Sequence, residues 1–341
     1  MRVVILSLIV AMAYSTVAAP RGRLVRNRGW GAPACTQVTG LPNLLISTDR
    51  ARTFFGNPIP PPTASSGAVL AVEDVRGLIV AAADRVIHES RDAGCTWTAR
   101  YNVSGAFQQP LRGVAAPGGR AWFWTQELLL GYDDDAGVVE RPTPEAFVGF
   151  GVDAGNADHI RGVGASGQGL WDSADGGLGW RRIGLPLGFP ILTAAVNPAN
   201  IDHIVAVTTT GLFTSRDGGT TWAIVPDFSD GTNVCQVVFS PSDPNVVWML
   251  VRRGTDFIFR STDGGSRFEP LRLPSGVGDF CFRLIPHPRD ANVLAMAAGG
   301  IFFIDAAART INGTPCCGGA TDDATFSPAD AFTVYVFASP P

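Results

Sequence analysis

Ser215-Arg216-Asp217-Gly218-Gly219-Thr220-Thr221-Trp222 is the stretch on which the reading of the fold turns. It returns as Ser90-Arg91-Asp92-Ala93-Gly94-Cys95-Thr96-Trp97, so both copies read Ser-x-Asp-x-Gly-x-Thr-Trp. Weaker copies are Ser173-Ala174-Asp175-Gly176-Gly177-Leu178-Gly179-Trp180 and Ser261-Thr262-Asp263-Gly264-Gly265-Ser266-Arg267-Phe268, and a worn one is Ser47-Thr48-Asp49-Arg50-Ala51-Arg52-Thr53-Phe54. The spacing has a physical cause. An Asp carboxylate accepts hydrogen bonds from backbone N–H groups of the turn that follows it. A Gly two positions on supplies the positive φ of a tight hairpin loop. The aromatic residue five positions after the Asp then folds back and buries its ring between neighbouring sheets. Each copy closes one hairpin and pins it to a core. Regular repetition marks scaffold, so none of these carboxylates is read as a catalytic acid or a metal ligand.

The copies begin 43, 83, 42 and 46 residues apart, and the long interval is close to two units. A hidden copy is therefore expected near residue 131, where Leu130-Gly131-Tyr132-Asp133-Asp134-Asp135-Ala136-Gly137 forms an acidic turn after an apolar run. A further interval past Ser261 reaches Ile304-Asp305, behind Ile301-Phe302-Phe303. Seven units result. A second periodic element fixes the phase: Val196-Asn197-Pro198, Phe239-Ser240-Pro241 and His287-Pro288 each open a Pro/Asp/Asn turn between two strand-like runs, the first hairpin of a unit. Its last copy, Phe326-Ser327-Pro328 through Tyr335, has no box after it, while the box at Ser47 has no such hairpin before it. The two ends complement each other, so one blade is expected to take inner strands from the C-terminus and outer strands from the N-terminus. Such closure removes the exposed sheet edges of an open array. A period of roughly 42 residues is that of four-stranded propeller blades. The expected fold is all-β: a single seven-bladed β-propeller.

Composition agrees. Of 341 residues, 46% are hydrophobic and 16% charged, with 40 Gly and 25 Pro, too apolar for disorder and too punctuated for long helices. All 26 basic residues are Arg, yet the net charge is −4 and no basic stripe appears, which argues against nucleic acid as a partner. Residues 1–19 place Arg2 before the apolar run Val3–Met12 and end in small residues, the pattern of a secretory signal cleaved near Ala18 or Ala19. An N-terminal extension, 20–42, and the propeller, 43–341, complete the expected organisation. No later stretch reads as a membrane span. A secreted or periplasmic monomer is expected.

Six cysteines in an exported chain favour disulfides. Cys235 and Cys281 begin inner strands of adjacent units nearly in register, and are expected to pair. Cys35 precedes the first strand, and Cys316 and Cys317 precede the closing strands, so one of that pair is expected to staple the ring to Cys35; Cys95 is left without a clear partner. No Cys-x-x-Cys spacing is present, and the pairs Asp158-His159 and Asp202-His203 occupy equivalent turns of separate units, so no metal and no cofactor are expected.

The boxes and their period resemble the Asp-box, or BNR, propeller superfamily, which includes sialidases, xyloglucan-type glucanases, sortilin-like receptors and photosystem II assembly-factor-like proteins. By size a single seven-bladed exported ring is most similar to the assembly-factor-like group. The resemblance implies a non-catalytic module that binds a protein or a glycan. The alternative is an exported sialidase-like glycoside hydrolase, which requires arginines for the substrate carboxylate and a Tyr–Glu pair. Phe282-Arg283-Leu284-Ile285-Pro286 approaches the sialidase motif, but it carries an extra residue and falls in an inner strand, and Tyr101, Tyr132 and Tyr335 show no evident Glu partner in the sequence. The candidate binding surface is the face opposite the boxes, where inter-blade loops carry Tyr101, Phe107, Phe147, Phe189, Phe228 and Phe280, since grouped aromatics supply much of the contact energy of binding surfaces.

Overall fold

The computed structural model describes residues 30–42, 44–56, 67–104, 111–125, 127–226, 228, 233–252, 258–271, 283–297, 300–314, 321–330 and 332–338. The signal expected at 1–19 lies outside the described residues, as do Phe107, Phe280, Cys281, Cys316 and Cys317.

Strands β1 (Leu44–Ser47) and β2 (Phe55–Gly56) open the chain. Blade two is β3 (Ala68–Ala71), β4 (Ile79–Ala83), β5 (Val86–Ser90) and β6 (Thr98–Asn102); blade three is β7 (Arg112–Ala116), β8 (Arg120–Trp124), β9 (Leu128–Asp133) and β10 (Gly137–Pro142). Blade four is β11 (Phe147–Asp153), β12 (Asn156–Gly164), β13 (Leu170–Ser173) and β14 (Arg181–Ile183), and blade five is β15 (Ile191–Asn197), β16 (Asn200–Thr208), β17 (Gly211–Ser215) and β18 (Ala223–Ile224). Blade six is β19 (Val234–Phe239), β20 (Val247–Val251), β21 (Ile258–Ser261) and β22 (Glu269–Pro270), and blade seven is β23 (Arg283–Pro286), β24 (Val293–Ala297), β25 (Ile301–Asp305) and β26 (Thr310–Thr314). The chain ends with β27 (Thr321–Phe326) and β28 (Val334–Ala338), which join β1 and β2 in a sheet of order β2-β1-β28-β27. The ring is thus a seven-bladed β-propeller with one blade shared between the termini, and the closing pairs are Leu44↔Phe337, Leu45↔Val336, Ile46↔Tyr335 and Ser47↔Val334.

Each gap between blades holds one apolar cluster, seven in all among the described residues. The second strands are sandwiched on both sides, which is why they read as continuous apolar runs instead of alternating. In β20, Val247, Met249 and Val251 pack toward blade five, while Trp248 and Leu250 pack toward blade seven.

The boxes close the hairpin from third to fourth strand. In the best copy Ser215 Oγ donates to Asp217 at 2.9 Å and accepts from Gly219 N at 2.8 Å. Asp217 in turn accepts from Thr221 N at 2.8 Å and Thr221 Oγ1 at 2.6 Å, bonds that hold its carboxyl below the usual range, the hydroxyl most of all. Gly218 and Gly219 both have positive φ, 68° and 81°. The worn copy keeps the same bonds but places Arg50 and Ala51 at φ 63° and 60°, a conformation that L side chains adopt at a cost. The expected turn at Leu130–Gly137 is present as the β9–β10 hairpin, where Asp133 accepts from Asp135 N and Ala136 N.

The residues before β1 dock on blade two: Thr39 bridges Thr96, Trp30 and Leu41 join the cluster around Trp97, and Cys35 is bonded to Cys95. This corrects the expected Cys35 staple to Cys316 or Cys317. The extension pairs beside the box turn, which brings Cys35 to Cys95 instead of to the closing strands. Cys235 is also disulfide-bonded, and Cys281, the partner expected for it, lies outside the described residues.

Deleting residues 326–341 removes β28 and should leave β1 and β27 with bare edges; the truncated protein should aggregate and lose its cooperative melt in calorimetry. Trp97, 7% exposed with Nε1 donating to Gly94 O, should cost about 3–5 kcal/mol on replacement by Ala in urea unfolding. Trp222 is only half-buried, so Trp222→Ala should cost less.

Candidate functional site at the channel mouth

Successive strands of a blade run antiparallel, so the turns joining first to second and third to fourth strands share one face, the box face. The second-to-third turns and the inter-blade connections open on the other, the loop face. The box face is tied together by arginines reaching from one blade to the next. Arg91 pairs with Asp134, Arg120 Nη1 donates to Asp158 at 2.6 Å, and Arg161 Nη1 donates to Asp202 at 2.7 Å. Arg216 Nη2 donates to Asp263 O at 2.7 Å, and Arg260 Nη2 to Asn292 Oδ1 at 3.0 Å. Asp158 and Asp202 are clamp acceptors, and buried His203 lies between Asn197 and Gly264 O.

Tyrosine partners that the sequence hid also appear between the blades. Tyr132 donates to Glu89 Oε2 at 2.6 Å, and burial raises its pKa, further helped by that bond; Tyr101 bonds Glu140, which raises its own. Tyr132 belongs to the third strand of its blade, and Glu89 also holds Arg91 and Arg100, so this pair is a buttress between blades two and three.

The first strands of the blades line a central cavity of about 400 Å³. At its box-face end are Glu73, Pro198, Pro241, Pro288 and Pro328, and Arg289 Nη2 meets Glu73 Oε1 at 3.3 Å, linking two blades that are not neighbours. At its loop-face end each blade contributes one residue at the corresponding ladder position: Arg112, Thr193, Gln236, Arg283 and Asp323, with Ala68 and Gly149 from the other two. In β11, β15, β19 and β27 the register shifts at this very position. A bulge there bends the strand and re-aims the side chain that follows.

The polar groups of this tier divide into satisfied and unsatisfied. Gln236 Oε1 accepts from Leu284 N at 2.8 Å, and Asp323 accepts from Val69 N at 3.0 Å and Ala324 N at 2.8 Å, so both side chains bridge adjacent inner strands. Arg283 Nε pairs with Asp323 at 2.9 Å, and its Nη1 reaches Leu111 O across the mouth at 3.4 Å. Arg112 forms no ion pair among the described residues. Burial, reinforced by the nearby Arg283, lowers its pKa to about 10. Burial also pushes Asp323 up to about 6, against the pull of Arg283 and the two backbone donors.

The aromatic residues expected to form the binding surface are dispersed. Phe147 is 4% exposed and meets Trp180 edge-on at 5.3 Å; Phe228 is 7% exposed and packs edge-on against Phe259 and Phe268. Both are core residues: Phe147 opens the inner strand β11 and turns into the cleft against the box aromatic of its own blade, and Phe228 lies where the inter-blade connection dips into the cleft. Tyr101 is half-buried in the Glu140 contact. Phe189 alone among the described candidates is exposed, at 42%, and the neighbouring Leu192, which the bulge in β15 turns outward, is equally so. Sequence reasoning missed Arg112, Arg283 and Asp323. Their signal was a charged residue near the start of an inner strand, where the other units carry Ala68, Gly149, Thr193 and Gln236.

Asp323 makes a checkable contribution to stability. Its folded pKa lies above the unfolded value of 3.8, so its contribution is fully present below about pH 4 and is lost as pH rises through about 6. The unfolding free energy of the wild type minus that of Asp323→Asn should therefore fall by on the order of 2–3 kcal/mol between pH 4 and pH 7, measured by urea titration.

No family model matches the chain. It is 24% identical over 245 residues to a xyloglucanase of a Paenibacillus species, across 65% of this chain but only 23% of that enzyme. Among solved structures, YCF48 bound to a D1 peptide superposes with a TM-score of 0.55 at 17% identity, covering 82% of this chain and 99% of that one, a likeness of fold. The dispase autolysis-inducing protein of Streptomyces mobaraensis is 32% identical over 311 residues, which cover 80% of this chain and 78% of that protein. With that identity spread over most of both propeller-length chains, this chain belongs to the family of the dispase autolysis-inducing protein.

Proposed function

We propose that this chain is an exported, non-catalytic Asp-box propeller that binds a protein through its loop face, and that the partner is a protease. The observation that carries the reading is the contrast between faces. Among the described residues, inter-blade arginine clamps occupy the box face, where the exposed apolar side chains Leu178 and Phe332 stand on separate blades, whereas the loop face presents Phe189 and Leu192 together, exposed beside a polar channel mouth. Such an apolar anchor next to orienting polar groups is the composition of a binding surface. The protease as partner is carried over from the name of the Streptomyces mobaraensis relative, and a peptide as ligand accords with the D1 peptide bound to YCF48. The Cys35–Cys95 bond supports export, since disulfides persist in oxidising compartments.

Glycoside hydrolysis is the weaker reading. Its sialidase-like form needs a Tyr–Glu pair facing the substrate, whereas the pairs Tyr132–Glu89 and Tyr101–Glu140 lie on third and fourth strands and do not line the channel; other glycosidases need two carboxylates flanking one bond. The channel-lining carboxylates among the described residues, Asp323 and Glu73, stand at opposite ends of the cavity, and each is held by an arginine.

Incubation of the purified protein with a neutral metalloprotease should accelerate loss of intact protease on gels in a dose-dependent way. Phe189→Asp and Leu192→Asp should each weaken binding at least tenfold by surface plasmon resonance with the melting temperature unchanged, while Leu178→Asp, in a box turn, should leave binding intact. Loss of binding only in Leu178→Asp would place the surface on the box face.

A further inference from the structure

We propose that the loop-face mouth of the channel is a carboxylate-binding pocket that takes the free C-terminus of a polypeptide, with Arg112 as the anchor. The inference deepens the protein-binding reading and rests on it. Three features of the mouth carry it. First, two guanidinium groups, Arg112 and Arg283, share one tier with a single carboxylate, Asp323, and that carboxylate is already committed to Arg283 and two backbone N–H groups. Arg112, in a confined, largely apolar setting, has no ion pair of its own among the described residues and feels only the more distant pull of the committed Asp323, and a charge so placed is costly unless a partner meets it. A planar guanidinium presents paired donors that match a carboxylate.

Second, the wall immediately inside this tier is apolar, built from Ala194, Val237, Leu284, Ile285 and Ala324. A ligand whose charge stays at the rim and whose apolar group enters the channel fits both zones. The α-carboxylate of a chain end with a Leu-sized or Phe-sized last side chain has that form. Third, the cavity is about 400 Å³, room for an end of one or two residues, and the Arg289–Glu73 pair and four prolines lie at its far end. A chain passing through would have to displace them, so the pocket selects a terminus over an internal acidic residue.

The probes are fluorescein-labelled hexapeptides ending in Leu, Phe or Gly, each as the free acid and as the C-terminal amide, titrated by anisotropy, with N-acetyl-leucine and glucuronic acid as competitors. Free acids ending in Leu or Phe should bind at least tenfold more tightly than their amides and than the Gly peptide. Arg112→Gln should lose at least tenfold affinity for the acids and none for the amides, with an unchanged melting temperature, and Arg112→Lys should recover part of the loss. Should Arg112→Gln prove unstable, chloride and acetate competition on the wild type supplies the same readout: acetate should displace the acid peptides at concentrations where chloride does not. Competition by N-acetyl-leucine supports the pocket. Equal binding of acid and amide, indifference to Arg112, or tighter binding of glucuronic acid than of any peptide would each overturn the proposal. Repeating the protease assay with Arg112→Gln separates the two readings. Full protease binding by Arg112→Gln together with failed peptide titrations discards the pocket and leaves the loop-face reading intact. Tight Arg112-dependent peptide binding without any effect on protease leaves the pocket and discards the protease partner.

Discussion

The pairing of β1 with β28 is the constraint on which the rest of this molecule depends. Four residue pairs, Leu44↔Phe337 through Ser47↔Val334, convert an arc of six complete sheets and two half-sheets into a ring. Without it the two half-sheets would each show an unpaired backbone edge. The residues involved are fully buried: Leu44, Ile46, Tyr335 and Phe337 lie in the cluster shared with blade two, while Val334 and Val336 face blade seven. Closure is therefore both a hydrogen-bond ladder and the completion of two apolar interfaces at once. The central cavity exists only because closure brings Asp323 of the last inner strand beside Arg283 on one side and Val69 on the other.

Division of labour between the faces follows from the same geometry. The box turns need their Ser, Asp and Gly for local hydrogen bonds, and the inter-blade arginines find acceptors on those turns or on the first-to-second turns beside them. Arg161 is buried against Asp172, but the exposed pairs among them, such as Arg91–Asp134, contribute little each, about 0–1 kcal/mol, and act more as registers between blades than as the source of stability. Burial between blades supplies that. On the loop face the inner strands bulge and present Thr193, Gln236 and Asp323 to the mouth.

The channel mouth illustrates why a buried charge and an unmet charge differ. Asp323 is enclosed, but Arg283 and two backbone donors meet it, so it tolerates burial at the cost of a raised pKa. Arg112 has the opposite problem: it is hemmed in by protein, near a second cation, and keeps its charge at a pKa lowered to about 10. The imbalance gives the mouth a sign, and the apolar wall behind it gives the ligand a shape.

The sequence by itself determined the architecture, because a propeller blade is a local object. Ser215 to Trp222 sets its own turn through bonds spanning no more than four residues, and the repeat of that turn counts the blades. Even closure was legible, since the Ser47 box lacked a preceding hairpin and the Phe326 hairpin lacked a following box. What only the tertiary structure decided are contacts between units remote in sequence. Cys35 meets Cys95 because the extension lies along a box turn. Phe147 is a core residue because it already belongs to an inner strand facing the cleft, and Phe228 because its connection dips between blades, placements that a linear pattern does not record. Arg112, Arg283 and Asp323 come from blades three, seven and one, and no spacing in the chain announces that a ring will gather them at its axis.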